Sequence, residues 1–288
     1  MPRSAAPCRL FVLLSRSAPI GLILRRGPAQ WTQLIRWRTD ADTFEYGQWF
    51  HGVIDFHRSD LSPSGERFLY FAKKYQPRCS DQGYRDTWTA LSRAPYFTAL
   101  ALWPMGDTWF GGGLFVDDAT IRLNHPACSA ATHPDHPAGR LHVIPEPMMF
   151  WDGCVLDERM KRDGWTLRSR TKRVYSGRTI AGEYPQELDK PDVKSRRLLV
   201  VRDLSDGILH RRPFHYRVIY RATGQELLAF EAEWADWDQQ GGLAYTSGGK
   251  LLRVDFPPRG RASQTREIAD FNRAKPDPQP APDWATRW

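Results

Sequence analysis

Apolar runs of strand length, broken by turn residues, fill this chain almost from end to end. RLFVLLS (9–15), IGLILRR (20–26), RFLYFAKK (67–74), FTALALW (97–103), RRLLVVRDL (196–204), HYRVIYRA (215–222) and KLLRVDF (250–256) hold four to nine residues each. They are rich in Val, Ile, Leu, Tyr, Phe and Trp and bounded by Gly, Pro, Asp or Ser. Runs that short, with β-branched and aromatic residues, read as many strands rather than helices. ELLAFEAEW (226–234) has helical propensity but stands between turn signals, so it too reads as a strand. The stretch 153–192 follows no such pattern and is expected to hold an irregular insertion. SQTREIADFN (263–272) is expected to form a short helical turn. The tail after it places Pro276, Pro278, Pro280 and Pro282 within seven residues and must be extended. Trp284 is expected to dock it on the body.

Two stretches share a grammar. DLSPSGERFLYF (60–71) and WADWDQQGGLAYTSGGKLLRVDF (234–256) each run from aspartate through a glycine turn into a strand. LDERMKRDGWTLRSR (156–170) is a fainter copy. Gly65 and Gly241 lie 176 residues apart, four periods of 44, and propeller blades repeat at about 40–45 residues. Asp60 and Asp238, just ahead of these turns, are the residues an Asx turn would use.

The two stretches resemble the turn-and-strand pair of bacterial WD-repeat-like β-propeller proteins. That resemblance implies an all-β fold, a ring of about five four-stranded blades. Residues 1–256 would form the ring, and 257–288 a helical turn with a Pro-rich tail docked on it. The chain departs from the WD pattern: its Trp-Asp dipeptides, 151–152 and 237–238, are the only two, and no Gly-His pair opens a unit. A β-sandwich with insertions is the alternative fold.

Four candidate chemistries arise from the residues. NHPACSAATHPDHPAGRLH (124–142) spaces His125, Cys128, His133 and His136 as H-x2-C-x4-H-x2-H, and imidazole with thiolate is a zinc donor set. A rigid Pro-containing surface loop explains the same residues, so zinc is the one cofactor raised and none is required. GDTWFGGGLF (106–115) could aim backbone N–H groups at an anion; a tight turn between sheets is the structural reading. With Trp103 and Trp109 beside them, Gly111, Gly112 and Gly113 are the first choice for a ligand-binding face. SGGK (247–250) fails the phosphate-loop pattern, since Ala244 and Leu251 stand where glycine and a hydroxyl are needed. Paired carboxylates in a Trp-lined cleft would suit a carbohydrate-active hydrolase, yet the sequence does not say which carboxylates converge.

The formal charge of +8 favours acidic partners, but RSRTKR (168–173) and KSRR (194–197) are short and separate, and no nucleic-acid motif accompanies them. Arg36 and Arg38, on one face of WTQLIRWRT (31–39), read as a solvated edge. Twelve tryptophans are expected mainly in cores and inter-sheet seams. Cys8, Cys79, Cys128 and Cys154 form no CxxC pair, and the apolar run Leu10–Leu14 is short for a secretory signal. No run is long enough to cross a bilayer as a helix. Together these predict a cytoplasmic, non-catalytic module that binds a protein or small ligand, with no metal chemistry beyond the zinc possibility at 124–142.

Overall fold

A computed structural model describes residues 6–74, 83–148, 154–175, 178–194, 196–202, 213–256 and 264–288. Its strands fall into five sheets, taken in chain order. The first holds β1 (Arg9–Leu14), β2 (Ile20–Arg26), β3 (Trp31–Arg38) and β4 (Thr43–His51). The second holds β5 (Val53–Leu61), β6 (Arg67–Lys73), β7 (Thr87–Arg93) and β8 (Ala99–Pro104). The third is small: β9 (Gly113–Phe115), β10 (Thr120–Leu123) and β11 (His142–Pro145), with β10 and β11 parallel. After helix α1 (Cys154–Arg162) comes the fourth, β12 (Thr166–Tyr175), β13 (Arg178–Pro191), β14 (Arg197–Arg202), β15 (Phe214–Tyr220) and β16 (Gln225–Ala232). The fifth holds β17 (Trp234–Trp237), β18 (Leu243–Ser247), β19 (Lys250–Asp255) and β20 (Gln264–Asp270). The all-β expectation holds, and β16 is a strand. Two local expectations fail. Residues 264–270 pair with β19 as a strand instead of forming a helical turn, and much of 153–192 is α1 followed by a long hairpin.

Each sheet contains a hairpin closed by a short polar side chain. Ser15, Ser62 and Asp192 each donate their backbone N–H to the carbonyl five residues on, while Asp238 reaches four residues on. Their side chains then accept from the turn. Ser62 Oγ takes the Arg67 N–H at 3.0 Å, Asp192 Oδ1 the Arg196 N–H at 2.7 Å, and Asp238 Oδ1 the N–H groups of Gln240 and Gly242 at 2.9 and 2.8 Å. In the small sheet Asp117 Oδ1 accepts from Ala119 at 2.8 Å. Asx and Ser/Thr turns of this kind hold a tight reversal without relying on ladder bonds. Asp238 therefore has the role expected of it. Asp60 does not: its Oδ2 accepts the Phe115 N–H at 2.8 Å and ties β5 to β9, leaving the turn to Ser62. The fainter copy at Asp163-Gly164 is a helix end, where Trp165 N–H returns to the Met160 carbonyl and Gly164 takes a φ of 92°.

The chain packs as two compact units, Met1–Arg159 with Arg273–Trp288, and Met160–Asn272. Within the first unit the second sheet is buried on both faces, which explains why RFLYFAK is apolar almost throughout. Side chains alternate along a strand, so Phe68, Tyr70 and Ala72 pack with Phe11, Leu22, Leu24 and Leu34 of the first sheet. Leu69, Leu91, Ala101 and Trp103 pack on the other side with Phe115, Ile121 and Leu123 of the third. The second unit repeats the arrangement: Leu199, Val201, Tyr216 and Val218 of the fourth sheet meet Ala235, Trp237, Leu243 and Val254 of the fifth. Trp37, Trp103, Trp165 and Trp237 are buried, as expected of seam residues.

The tail rejoins the first unit. Arg25 and Gln48 donate to the carbonyls of Ala274 and Gln279 at 2.9 and 3.1 Å, and Arg93 donates to that of Arg287 at 3.0 Å. Trp284 meets Tyr96 edge-on at 5.5 Å, and the Arg67 guanidinium lies over Trp288. Half of Trp284 stays exposed. Among the described residues, no helix is long and apolar enough to cross a membrane.

Candidate functional site at the β5 bulge

The sequence VIDFHRSDL (53–61) forms β5, but not as a regular strand. Its pairing with β6 jumps from Asp55 opposite Phe71 to Asp60 opposite Leu69, so residues 56–59 stand against Tyr70 alone. Bulges that re-aim side chains gather beside functional sites. This one is fixed from several directions. Phe56 stacks on Phe11 with ring centroids 3.6 Å apart. Ser59 Oγ donates to the Asp55 carbonyl at 2.7 Å. Arg159, from α1, donates to the Phe56 carbonyl at 3.0 Å and also to that of Ser59.

The bulge gathers charge around one carboxylate. Arg58 Nε and Lys73 Nζ lie 3.7 and 3.8 Å from Asp55 Oδ2, and His57 Nδ1 lies 3.9 Å from Oδ1. A direct charge-assisted hydrogen bond spans about 2.7–2.9 Å. Among the described residues, then, three basic groups surround the Asp55 carboxylate at a distance that suits a bridging water or ligand atom. Side-chain exposures of 14% for Asp55, 13% for His57 and 22% for Lys73 keep the group within reach of solvent. Arg58 and Lys73 both flank the ring of Phe71, at 5.3 and 5.5 Å. That contact orients the two cations toward one side of the strand.

Arg58 also links the bulge to the loop ahead of β9. Its Nη1 donates to the carbonyls of Thr108 and Phe110 at 2.8 and 2.9 Å, on either side of Trp109. Trp109 N–H donates to Asp107 Oδ1 at 2.9 Å, and Thr87 Oγ1 donates to the Asp107 carbonyl at 2.5 Å. Trp109, 64% exposed, is thus presented by a loop held at three points.

The residues expected to share a ligand face are not brought together. Trp103 is fully buried in the seam between the second and third sheets, while Trp109 is in solvent. The glycine run serves packing. The Gly111 N–H goes to the Asn124 carbonyl and the Gly112 N–H to Thr89 Oγ1, at 2.8 and 2.7 Å. A Cβ on Gly111 would meet the Phe71 ring, one on Gly112 the Arg58 carbonyl, and one on Gly113 the Arg122 carbonyl. The N–H groups of Gly111 and Gly112 are thus spent inside the protein.

The four residues proposed for zinc are likewise dispersed in role. His125 is fully buried, with Nε2 2.8 Å from Thr89 Oγ1 and Nδ1 3.1 Å from the Ser129 carbonyl. The carbonyl can only accept, so Nδ1 carries the proton and Nε2 accepts from the Thr89 hydroxyl. Burial lowers the His125 pKa to about 4, which keeps the ring neutral. His133 stacks on Tyr84 at 4.0 Å, and His136 Nε2 lies 3.2 Å from the Tyr84 hydroxyl. Cys128 is an exposed free thiol. Among the described residues, no group of three or more His, Cys, Asp and Glu side chains is placed to hold a metal ion.

A depression of about 290 Å³ beside Ile20, Arg36, Arg38, Thr43, Phe44 and Glu45 is the alternative site. Its arginines are answered by Glu66 and by Asp40, the latter at 2.8 Å, as a solvated edge would have them. The bulge is the better candidate because its carboxylate and cations stand apart from one another.

No protein-family model matches the chain, and no curated protein matches it. A solved structure of the uncharacterized protein lmo1340 from Listeria monocytogenes EGD-e aligns with 92% of this chain and 85% of that one, at 11% identity and a TM-score of 0.33. A likeness that distant carries no argument about fold or function.

The bulge is hard to see in the sequence because FEYGQWFHGVIDF (44–56) reads as one apolar run. The available signal is the cluster D-x-H-R at its end, polar residues inside what should be a buried strand.

Proposed function

We propose that the protein is a non-catalytic ligand-binding module whose site is the β5 bulge, built on a propeller-like ring of about five sheets. The observation that carries the binding role is the Asp55 carboxylate, ringed by His57, Arg58 and Lys73 without a direct hydrogen bond from any of them. Asp238, by contrast, closes onto Arg253 at hydrogen-bond distance. Five consecutive sheets, each with a Ser- or Asp-closed hairpin, support the ring, as do the face-to-face seams within each unit. In such a ring the first strand of each blade lines the axis, and β5 is the first strand of its sheet. Glycoside hydrolysis requires two carboxylates facing across a substrate; the groups around Asp55 are basic, which favours binding over that chemistry. Cys8 and Cys128, both thiols outside any disulfide, support a cytoplasmic setting.

The experiment is a nuclear magnetic resonance titration of the full chain with a panel of small polar ligands. Shifts confined to β5, Lys73 and Trp109 are expected. Binding that perturbs only the Arg36/Arg38 depression, or conversion of a ligand to product, would remove this reading.

A further inference from the structure

Residues 273–288 carry a proline at every second position from 276 to 282, and Pro282 holds φ −64° and ψ 153°, the polyproline II region. Few modes of recognition suit such a segment. Proline has no N–H, so the chain cannot add to a sheet edge as a full strand, and none of these residues belongs to a strand. Polyproline II makes no internal hydrogen bonds either, which leaves its carbonyls to be read by donors from outside. The first unit supplies those donors as side chains. Arg25 of β2, Gln48 of β4 and Arg93 of β7 donate to the carbonyls of Ala274, Gln279 and Arg287.

Two of these donors are also held by residues of the body. Gln48 Oε1 accepts the Phe97 N–H at 2.8 Å, which fixes the amide and turns its NH2 group to the tail. Arg25 is buried, lies over Trp49 and donates to the Gly27 carbonyl at 2.5 Å. At the far end Trp288 rests on Gly139, where a Cβ would come within 2.9 Å of the indole. The tail is held more lightly. Of residues 273–288 only Ala285 is buried, and Trp284 and Trp288 are about half exposed. A preformed receptor with a lightly seated occupant is a place from which the occupant can leave without the body unfolding.

We propose that this surface is a docking site for an extended proline-rich segment of another polypeptide, and that the chain's own tail occupies it as a tethered competitor. Donors that face carbonyls read backbone rather than side-chain identity, which suits proline-rich segments as a class. The closed space around Ala285 adds a demand for one small residue. Tethering gives the tail an effective concentration on the order of millimolar, so an incoming segment engages only by outcompeting it. The surface shares no residue with the β5 bulge, and the two readings stand or fall separately.

The test removes the competitor and leaves the surface intact. Ala285→Arg in the full chain puts a charge at a fully buried position of the tail and should undock it. A fluorescein-labelled synthetic peptide of residues 273–288 is titrated by anisotropy against the wild-type and variant chains. It is expected to bind the variant at least tenfold tighter than the wild type, and the same peptide carrying Ala285→Arg should bind neither. Replacing its prolines at 276, 278, 280 and 282 by alanine should weaken binding severalfold, as should Gln48→Ala in the variant chain. Undiminished binding of the alanine peptide overturns the proline-rich class. Equal affinity for the two chains, no binding to the variant, or a variant whose near-UV circular dichroism is lost would make the tail an integral part of the fold and overturn the proposal. A wild-type chain that dimerises with concentration in sedimentation, while Ala285→Arg stays monomeric, would assign the surface to a second copy's tail and overturn the choice of partner.

Discussion

Asp238 and Asp55 are both aspartates inside β-structure, and the protein treats them in opposite ways. Asp238 has no exposed side-chain surface. Its oxygens accept the N–H groups of Gln240 and Gly242 and the Arg253 guanidinium, so every partner is at bonding distance. Asp55 is slightly exposed, and its three basic neighbours stand 3.7–3.9 Å away. Removing a partner from a buried, saturated pair strands a charge, whereas removing Asp55 breaks no direct hydrogen bond to a basic side chain. The comparison separates a carboxylate saturated by its own turn from one that stands apart from its basic neighbours.

The largest effect should therefore come from Asp238→Ala. Losing the turn contacts and leaving the Arg253 charge without its carboxylate should cost on the order of 3–5 kcal/mol, measurable by urea unfolding. A loss below about 1 kcal/mol would erase the distinction from Asp55.

His125 supplies the next largest effect, through acid. Its folded pKa of about 4 lies below the ordinary histidine value of 6.5. The unfolded chain therefore binds the extra proton first, and stability falls as the pH drops from about 6.5 toward 4 and is flat above that window. At roughly 1.4 kcal/mol per pKa unit the loss approaches 3 kcal/mol. A histidine titration by nuclear magnetic resonance should place His125 near the acid end, and a midpoint above 6 would contradict its neutral, doubly bonded state. Zinc at equimolar concentration should leave the His125 resonances unmoved, because both ring nitrogens are already bonded.

Asp55→Ala should cost less than Asp238→Ala, because no direct hydrogen bond to a basic side chain is lost, and an equal loss would make Asp55 a structural residue. The smallest effect belongs to Arg38→Ala at the exposed Asp40 pair, where Tm should not change.

The turns are legible in the sequence for the reason that makes Asp238 structural: a short polar side chain ahead of a reversal acts on its own backbone, within a few residues. Strand lengths and the buried tryptophans are legible on the same local grounds. The spacing of 44 does not count sheets. Gly65 and Gly241 sit in the hairpins of the second and fifth sheets, three sheets apart, and the intervals between are stretched by the 124–141 loop and by α1 with the long β12–β13 hairpin. The bulge is hidden for a different reason. Its geometry depends on Arg159 and on the 106–110 loop, partners from 50 to about 100 residues away that no local pattern encodes. The same distance effect misdirects the choice of Trp103, since only the third sheet, packed over it, decides that it is buried.

A crystal structure of the full chain without added ligand would test the central claim most directly. The expected result is an Asp55 carboxylate that keeps 3.7–3.9 Å from His57, Arg58 and Lys73. An Asp55 that closes onto Lys73 or Arg58 at hydrogen-bond distance would contradict it.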